Sequence, residues 1–442
     1  MKKLSLFTAS TLALLAFSTP ALAKSPMPLP NPDLPAVTPV VKNGGSGLAT
    51  ASDADVCPKL RRWAGSGNSA SSLYVKSLDS GKTICGLHAK SSRSLASNNK
   101  LFTTSAALGK FGLHHRFRTS LYADGHINSH GVLKGSLYLQ GGGDPSLGTK
   151  DFNDSYFLGE GIEIEDLASA AKRLGIKKVT GRLYGDDTIF DDVRGVADSG
   201  YATSPYIGPL SGLDINAGYT SGSLSSYSSN PAKTAVRKLV KVMRRKGIKI
   251  QAQTSLRKTP KSAKRTLVGK LKSPKMSWII RTTLLFSNNF FAEMLEKGLG
   301  AEFRGLGTTH RGTTVTERYA ASLGSEVDQK DGSGLTYGNR STAADVVKLL
   351  TEDREQNYGK TLIAGLPTAG VDGTLEDRMR GTAAQGNCHA KTGTLTGVSA
   401  LSGYCFNNSG RKFVFSILMN GVSDLTAAHA GQDRIAAAIA AR

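Results

Sequence analysis

The chain has 442 residues, enough for a large core and two or three domains. Apolar residues make up 39% and charged residues 20%, a globular composition, and no stretch beyond the first residues is long and apolar enough to span a membrane. The formal charge of +22 calls for an anionic setting.

The start of the chain fixes the compartment. Met1-Lys2-Lys3 is basic, Leu4 to Phe17 is apolar but too short to span, and Ala21-Leu22-Ala23 is a small-x-small cleavage site. Together they predict a secretory signal peptide over 1–23, removed near Ala23, and an exported, periplasmic or cell-envelope protein. Removing Lys2 and Lys3 takes two from the net charge. Nucleic acid would be the first partner expected of so basic a cytosolic chain, and export argues against it. Residues 24–50 include six prolines between Ser25 and Pro39 and read as an extended linker.

Cys57 opens a short helix to Trp63. Ser72 to Ser77 and Lys82 to His88 alternate around Asp79-Ser80-Gly81, a hairpin pattern. A helix from about Ser97 to Phe111 follows, closed by glycines. From His114 to Pro274, short strands (Val132 to Leu139, Gly181 to Tyr184) alternate with helices (Ile164 to Leu174, Ala232 to Lys246). Lys233 to Arg265 holds 13 Lys or Arg and no acid, which reads either as a solvated face of a packed helix or as a dock for an anionic polymer. In the last third, Met276 to Phe286, Phe290 to Lys297 and Thr342 to Arg354 are helical, with Ser341 as the expected cap. Strands follow at Cys388 to Leu395, Val398 to Phe406 and Lys412 to Leu418. Asn407 to Gly410 forms a turn, and Leu425 to Ala441 a closing helix.

Three short motifs occur in order: Ser97-Asn98-Asn99-Lys100, Ser287-Asn288-Asn289 and Lys391-Thr392-Gly393. Residues three apart at a helix start share a face, so the Lys100 amine can reach the Ser97 hydroxyl. To take its proton the amine must be neutral, which requires desolvation or a nearby cation, with Lys391 a candidate for the latter. Ser287 and Asn289 precede a helix, where a hydroxyl can relay a proton and an amide can hold both lysine and substrate. On the third motif's strand, Lys391, Gly393 and Leu395 share a face beside the nucleophile, and such a strand can pair with an extended peptide. Lys391 with a neighbouring hydroxyl suits a terminal carboxylate.

The four cysteines allow three pairings. In an exported protein without C-x-x-C or zinc spacing they favour disulfides. Cys388 and Cys405 stand equidistant from Thr396-Gly397 and would face each other across a hairpin, which leaves Cys57 with Cys85.

The motif trio is shared by penicillin-binding proteins and class A β-lactamases, with S-D-N in second place where this chain has Asn288. The sequence closely resembles the D-Ala-D-Ala carboxypeptidase/endopeptidase family, the low-molecular-mass class C penicillin-binding proteins, from about Ser72 to its end. Further signatures carry the resemblance: Gly143-Asp144-Pro145-Ser146-Leu147, Gly181 to Asp191, Pro209 to Leu213, Asp331-Gly332-Ser333-Gly334-Leu335, and Gly370 with Asp372 to Leu375.

The resemblance implies an α/β (α+β) fold: a penicillin-recognising transpeptidase/β-lactamase-like domain whose antiparallel sheet is covered by helices. That domain would comprise residues 51–113 with 275–442, and a large insert would occupy 114–274. It implies Ser97 as acylated nucleophile, Lys100 as general base, Ser287 as proton relay, Asn289 as partner of substrate and lysine, and Lys391 as electrostatic support. Thr392, Gly393 and Thr394 would bind substrate, and the N–H groups of Ser97 and Thr394 would form the oxyanion hole. The implied partners are peptidoglycan peptide stems and β-lactam antibiotics, with no cofactor and no metal. For the excess positive charge, an anionic wall polymer or a membrane surface is the expected contact. Two other readings stand beside this one: a β-lactamase-like hydrolase, which the long gap between the first two motifs disfavours, and a non-catalytic wall-binding protein, which the Ser97/Lys100 pair disfavours. Asp331 is expected to be structural, and Asp186-Asp187 and Asp191-Asp192 to lie on a solvated loop.

Overall fold

The computed structural model describes residues 53–442, apart from 158, 197–205, 223, 252 and 408. The expected signal peptide and the Pro-rich linker lie outside the described residues.

A five-stranded antiparallel sheet forms the centre. Its order is Cys388–Leu395, Val398–Phe406, Lys412–Asn420, Ala70–Ser77, Thr83–Leu87. The central Lys412–Asn420 strand is buried on both faces, and its alternation sorts its side chains into two cores. Phe413, Phe415, Ile417 and Met419 pack with Leu60 and Ala64 of the Asp53–Ala64 helix and with Ile435 and Ile439 of the Leu425–Ala440 helix. Val414 and Leu418 face the opposite layer, built on Ile279, Ile280 and Leu284 of Met276–Leu285, Phe291 and Leu295 of Asn289–Arg304, and Val346 and Leu350 of Ala343–Glu355. Fully burying one such side chain contributes about 1.5–3 kcal/mol, so helices on both faces are what make this strand central. The sheet is antiparallel and helix-covered, as expected.

Residue types at the helix starts explain where they begin. Asn288, Asn230, Thr308 and Asp424 each accept a backbone N–H from the first turn. The cap of Ala343–Glu355 is Thr342, whose Oγ1 accepts from Asp345 N at 3.0 Å, and not Ser341. Ser341 instead pairs with Arg93 as part of a two-stranded ladder, its hydroxyl donating to Glu326 O. The Asn289–Arg304 helix runs well past Lys297, ending at the left-handed Gly305.

The middle of the chain forms a second, six-stranded mixed sheet with its own core. Its entry strand Arg118–Ile127 and exit strand Arg265–Lys272 are antiparallel neighbours, with Arg118 opposite Lys272, and Ser273 N donates to Phe117 O at 2.9 Å. Chain entry to the second sheet and exit from it therefore meet. Glu165–Arg173 and Pro231–Arg245 bury Leu167, Ala171, Val236, Leu239 and Met243 in this core. The Lys150–Tyr156 helix leans the other way: Phe152 packs on Phe157, whose ring meets Trp278 of Met276–Leu285 and Phe291 of Asn289–Arg304. The Asp pairs are not a solvated loop. Asp191 receives the buried Lys297 ammonium at 2.6 Å, Asp187 pairs with Arg194, and Asp186 accepts from Thr188 and Thr259; Asp192 alone of the four is exposed. Both expected disulfides are present, Cys57–Cys85 and Cys388–Cys405. Among the described residues no helix is long and apolar enough to cross a membrane.

Candidate active site

Ser97 sits in a single 3-10 turn, Ala96–Asn98, at the head of the Asn99–Phe111 helix. The turn is strained: Ala96 has φ 45°, a left-handed value that costs a non-glycine residue about 1 kcal/mol or more. Its surroundings hold it there. Asn98 Nδ2 donates to Lys391 O (3.0 Å), Asn99 Nδ2 donates to Asp331 O (2.6 Å), and the backbone of Gly334 presses on Ala96 O. Gly334 has φ +89°, and a Cβ there would stand 1.9 Å from that oxygen, so the D-G-S-G-L signature has a direct mechanical reason. Asp331 supports the loop as a structural acid, accepting from Gly334 N, Thr336 N and Thr336 Oγ1.

One helical turn on, Lys100 is fully buried, and its Nζ reaches three oxygens: Ser97 Oγ at 3.1 Å, Asn289 Oδ1 at 2.6 Å and Ser333 O at 2.6 Å. Burial lowers its pKa to about 7, opposed by the negative charges of Asp331 and Glu293. Of the two causes the sequence allowed, desolvation and a nearby cation such as Lys391, desolvation is the one that lowers it. Lys391, also fully buried, is lowered well below the usual lysine value, first by burial and then by Lys100.

Lys391 Nζ donates to Ser287 Oγ (2.9 Å) and to Thr392 O (2.8 Å). Ser287 has φ 53° in the tight connection between Met276–Leu285 and Asn289–Arg304, and Asn288 caps the second helix, a task an Asp side chain performs equally well. The second motif thus splits its labour: Ser287 meets Lys391, Asn289 meets Lys100, and the residue between starts the helix. Gly393 lies against the nucleophile turn, where a Cβ would stand 2.9 Å from Leu95 O and 3.0 Å from Asn98 Nδ2. Thr392 is half-buried and Thr394 exposed on the same edge strand.

Three distant segments therefore bring together two hydrogen-bonded sets, Ser97 and Asn289 on Lys100 and Ser287 on Lys391, with Thr392 to Thr394 along the rim. Sequence reasoning missed four participants. Ser333 supplies a carbonyl, which no side-chain motif reveals. Thr374 Oγ1 lies 2.7 Å from Thr392 Oγ1 and orients it. Tyr206, 83 residues earlier in the chain, offers its carbonyl to Asn289 Nδ2 at 2.8 Å. Glu293, one helical turn beyond Asn289, accepts from Ser333 N at 2.7 Å; its i+4 spacing was a readable signal.

The chain is similar to several known proteins. The profile of the D-Ala-D-Ala carboxypeptidase 3 (S13) family matches residues 64–228 and 221–442. A D-alanyl-D-alanine carboxypeptidase from Actinomadura sp. (strain R39) is 32% identical over 425 residues, covering 78% of this chain and 76% of that protein. Penicillin binding protein 4 from Haemophilus influenzae superposes with a TM-score of 0.72 at 20% identity, covering 88% of this chain and 98% of that one. A predatory peptidoglycan endopeptidase from Bdellovibrio bacteriovorus gives 0.54 at 19% identity, covering 84% and 92%. With the family profile spanning both ends of a cleft that joins a serine to a buried lysine, the chain belongs to the D-Ala-D-Ala carboxypeptidase 3 (S13) family and is a serine hydrolase.

Proposed function

We propose that the protein cleaves D-Ala-D-Ala peptides of peptidoglycan, as carboxypeptidase or DD-endopeptidase, through an acyl-enzyme on Ser97. The observation that carries this reading is the Lys100 Nζ to Ser97 Oγ contact at 3.1 Å within a fully buried lysine environment. A neutral Lys100 amine accepts the Ser97 proton as Oγ bonds to the carbonyl carbon of the penultimate D-Ala. The N–H groups of Ser97 and Thr394 stabilise the oxyanion. Its collapse breaks the C–N bond, and the departing amine takes its proton through Ser287, backed by Lys391. Water then attacks the ester with Lys100 again as base, releasing a carboxylate and restoring Ser97. Thr392, held by Thr374, receives the substrate's terminal carboxylate, and Gly393 lets the strand close onto the turn that carries Ser97. A β-lactam, whose strained amide places a carbonyl and a carboxylate alike, acylates the same oxygen.

Digestion of purified peptidoglycan by wild type and Ser97→Ala, with products identified by mass, tests the reading. Loss of terminal D-Ala or cleavage of cross-links by wild type alone supports it. A Ser97→Ala variant of full activity ends it.

In the same reading, residues 51–113 with 275–442 are the catalytic domain and 114–274 an insertion, supported by the separate core and the paired entry and exit strands. Residues 1–23 direct export, and 24–50 link the mature start to the catalytic domain. The intact mass of protein recovered from the cell envelope, beginning near Lys24, is the check.

The basic insert docks on an anionic wall polymer. Pro231–Arg245 buries its apolar side, which leaves no greasy face for a bilayer, and exposes Arg237, Lys241 and Arg245. Beside it, a cavity of about 310 Å³ collects Lys238, Lys241 and Arg245, with Asp151 and Glu165 at its wall. A concave basic site suits a chain better than a flat membrane. Sedimentation with purified wall polymer, against anionic vesicles, separates the two.

A further inference from the structure

The acid closest in logic to the base is one the mechanism above does not use. Glu293 is fully buried on Asn289–Arg304, one turn beyond Asn289, so both side chains point from one helix face toward Lys100. Asn289 touches Lys100 Nζ directly; Glu293 reaches it through one residue. Its Oε1 accepts the Ser333 N–H at 2.7 Å, and the Ser333 carbonyl accepts from Lys100 Nζ at 2.6 Å. Its Oε2 is buried and accepts no hydrogen bond from a described group. An ionised carboxylate with one oxygen so placed is costly, whereas the neutral acid is much less so.

We infer that Glu293 is a positioning residue for Lys100, holding the Ser333 carbonyl that aims the amine at Ser97 and coupling the charge on that amine to its own.

The electrostatics around it follow the geometry. Burial and the nearby Asp331 push the Glu293 carboxyl well above the usual carboxylate range, and a charged Glu293 in turn favours the ammonium form of Lys100. The groups facing it are Lys100 from the nucleophile helix, Asp331 from the D-G-S-G-L loop, and Glu296 and Lys297 from its own helix, with Lys391 beyond Lys100 on the sheet edge. A proton on Glu293 removes an anion from the neighbourhood and releases Lys100 to the neutral form that accepts from Ser97. A bare carboxylate does the opposite. A charged Glu293 therefore holds the proton on Lys100 to higher pH, and the state competent for acylation is the one in which Lys100 is uncharged.

The inference rests on Lys100 being the base, so Lys100→Ala is the control. If that variant still forms a penicillin adduct at wild-type rate, the base assignment fails, whatever Glu293 does. With that control inactive, the test is the pH profile of the second-order rate of penicillin acylation for wild type, Glu293→Gln and Glu293→Asp. Gln keeps an acceptor for the Ser333 N–H and carries no charge. The expected result is an acid limb displaced toward lower pH by about one unit, with an alkaline plateau within about threefold of wild type. A folded Glu293→Gln protein with an unmoved acid limb overturns the inference, because a merely structural role changes stability without moving that midpoint. Should Glu293→Gln not fold, Glu293→Asp decides. It keeps the charge and withdraws the carboxyl from Ser333, and the expected result is a plateau lower by about tenfold with the acid limb retained. Wild-type rates across the range in Glu293→Asp overturn it equally.

Discussion

The catalytic cleft and the inserted sheet use charge in opposite ways. In the cleft, Lys100, Lys391 and Glu293 are fully buried and bound to named partners, so their protonation responds to desolvation and to one another. In the insert, Arg237, Lys241 and Lys249 stand exposed on a stretch without a single acid, where water and salt screen them. Buried charge is scarce, expensive and adjustable by pH; exposed charge is abundant, cheap and adjustable by ionic strength. The cleft should therefore be read out by pH and the insert by salt, and each prediction below can break that division or make it sharper.

The largest effect is expected at the nucleophile. Ser97→Ala should abolish the covalent penicillin adduct and lower peptide hydrolysis by about 10⁴-fold while leaving the melting transition in place, as intact mass, turnover and calorimetry would show. Next comes the turn that aims it. Gly334→Ala forces a Cβ onto Ala96 O and strains a residue at φ +89°. Acylation should fall about 100-fold through a shift of Ser97 against Lys100, with a stability loss of about 1–3 kcal/mol by denaturant unfolding. Wild-type acylation in that variant would show that the nucleophile turn is held from elsewhere. Third is the pH dependence. Lys100 is lowered to about 7, so below that value the amine is increasingly charged and cannot accept a proton. The acylation rate should rise with pH, by up to tenfold per unit below about 7, and level off above it. Stability follows from the same group: the unfolded chain holds the lysine proton up to about 10.4 while the folded one releases it near 7, so this lysine's contribution rises with pH between those limits. A rate flat from pH 5 to 8 would remove Lys100 from the base position.

Much of this cleft was legible in the sequence because its reacting side chains lie in short, strictly spaced motifs. Ser97 and Lys100 need only a helical turn to meet, and Cys388 opposite Cys405 needs only a symmetric hairpin. What stayed hidden depends on long-range placement. Lys100 is tuned by burial, and burial is a property of the packed helices around it, so the sequence could name desolvation and a cation such as Lys391 as causes but could not choose between them. The Ser333 and Tyr206 contributions are carbonyls, and a backbone acceptor has no residue-type signature. The choice of Thr342 over Ser341 as a cap turns on one residue: Ser341 is taken up by its ladder with Arg93, which only the fold discloses. In the insert, the Asp pairs looked solvated because their partners, Lys297 and Arg194, lie up to 106 residues away or belong to a loop of no regular pattern.

The smallest predicted effect bears on the insert, and it tests the division most directly. Arg237 and Lys241 lie one turn apart on the outer face of Pro231–Arg245 and remote from Ser97 in the fold, separated by an entire core. Their reversal in Arg237→Glu/Lys241→Glu changes the local charge by four without touching a buried contact. Binding to a purified anionic wall polymer at low ionic strength should weaken by about tenfold, and the deficit should shrink as salt is raised, since added ions screen exposed charges over about 8–10 Å. Hydrolysis of a small soluble D-Ala-D-Ala peptide should remain at the wild-type rate at every salt concentration, because the groups that set it are shielded by protein. If hydrolysis of the small peptide fell with binding, the insert's field would extend into the cleft, and the two regions would have to be treated as one electrostatic unit. If binding were unchanged, the exposed basic face would be solvation alone.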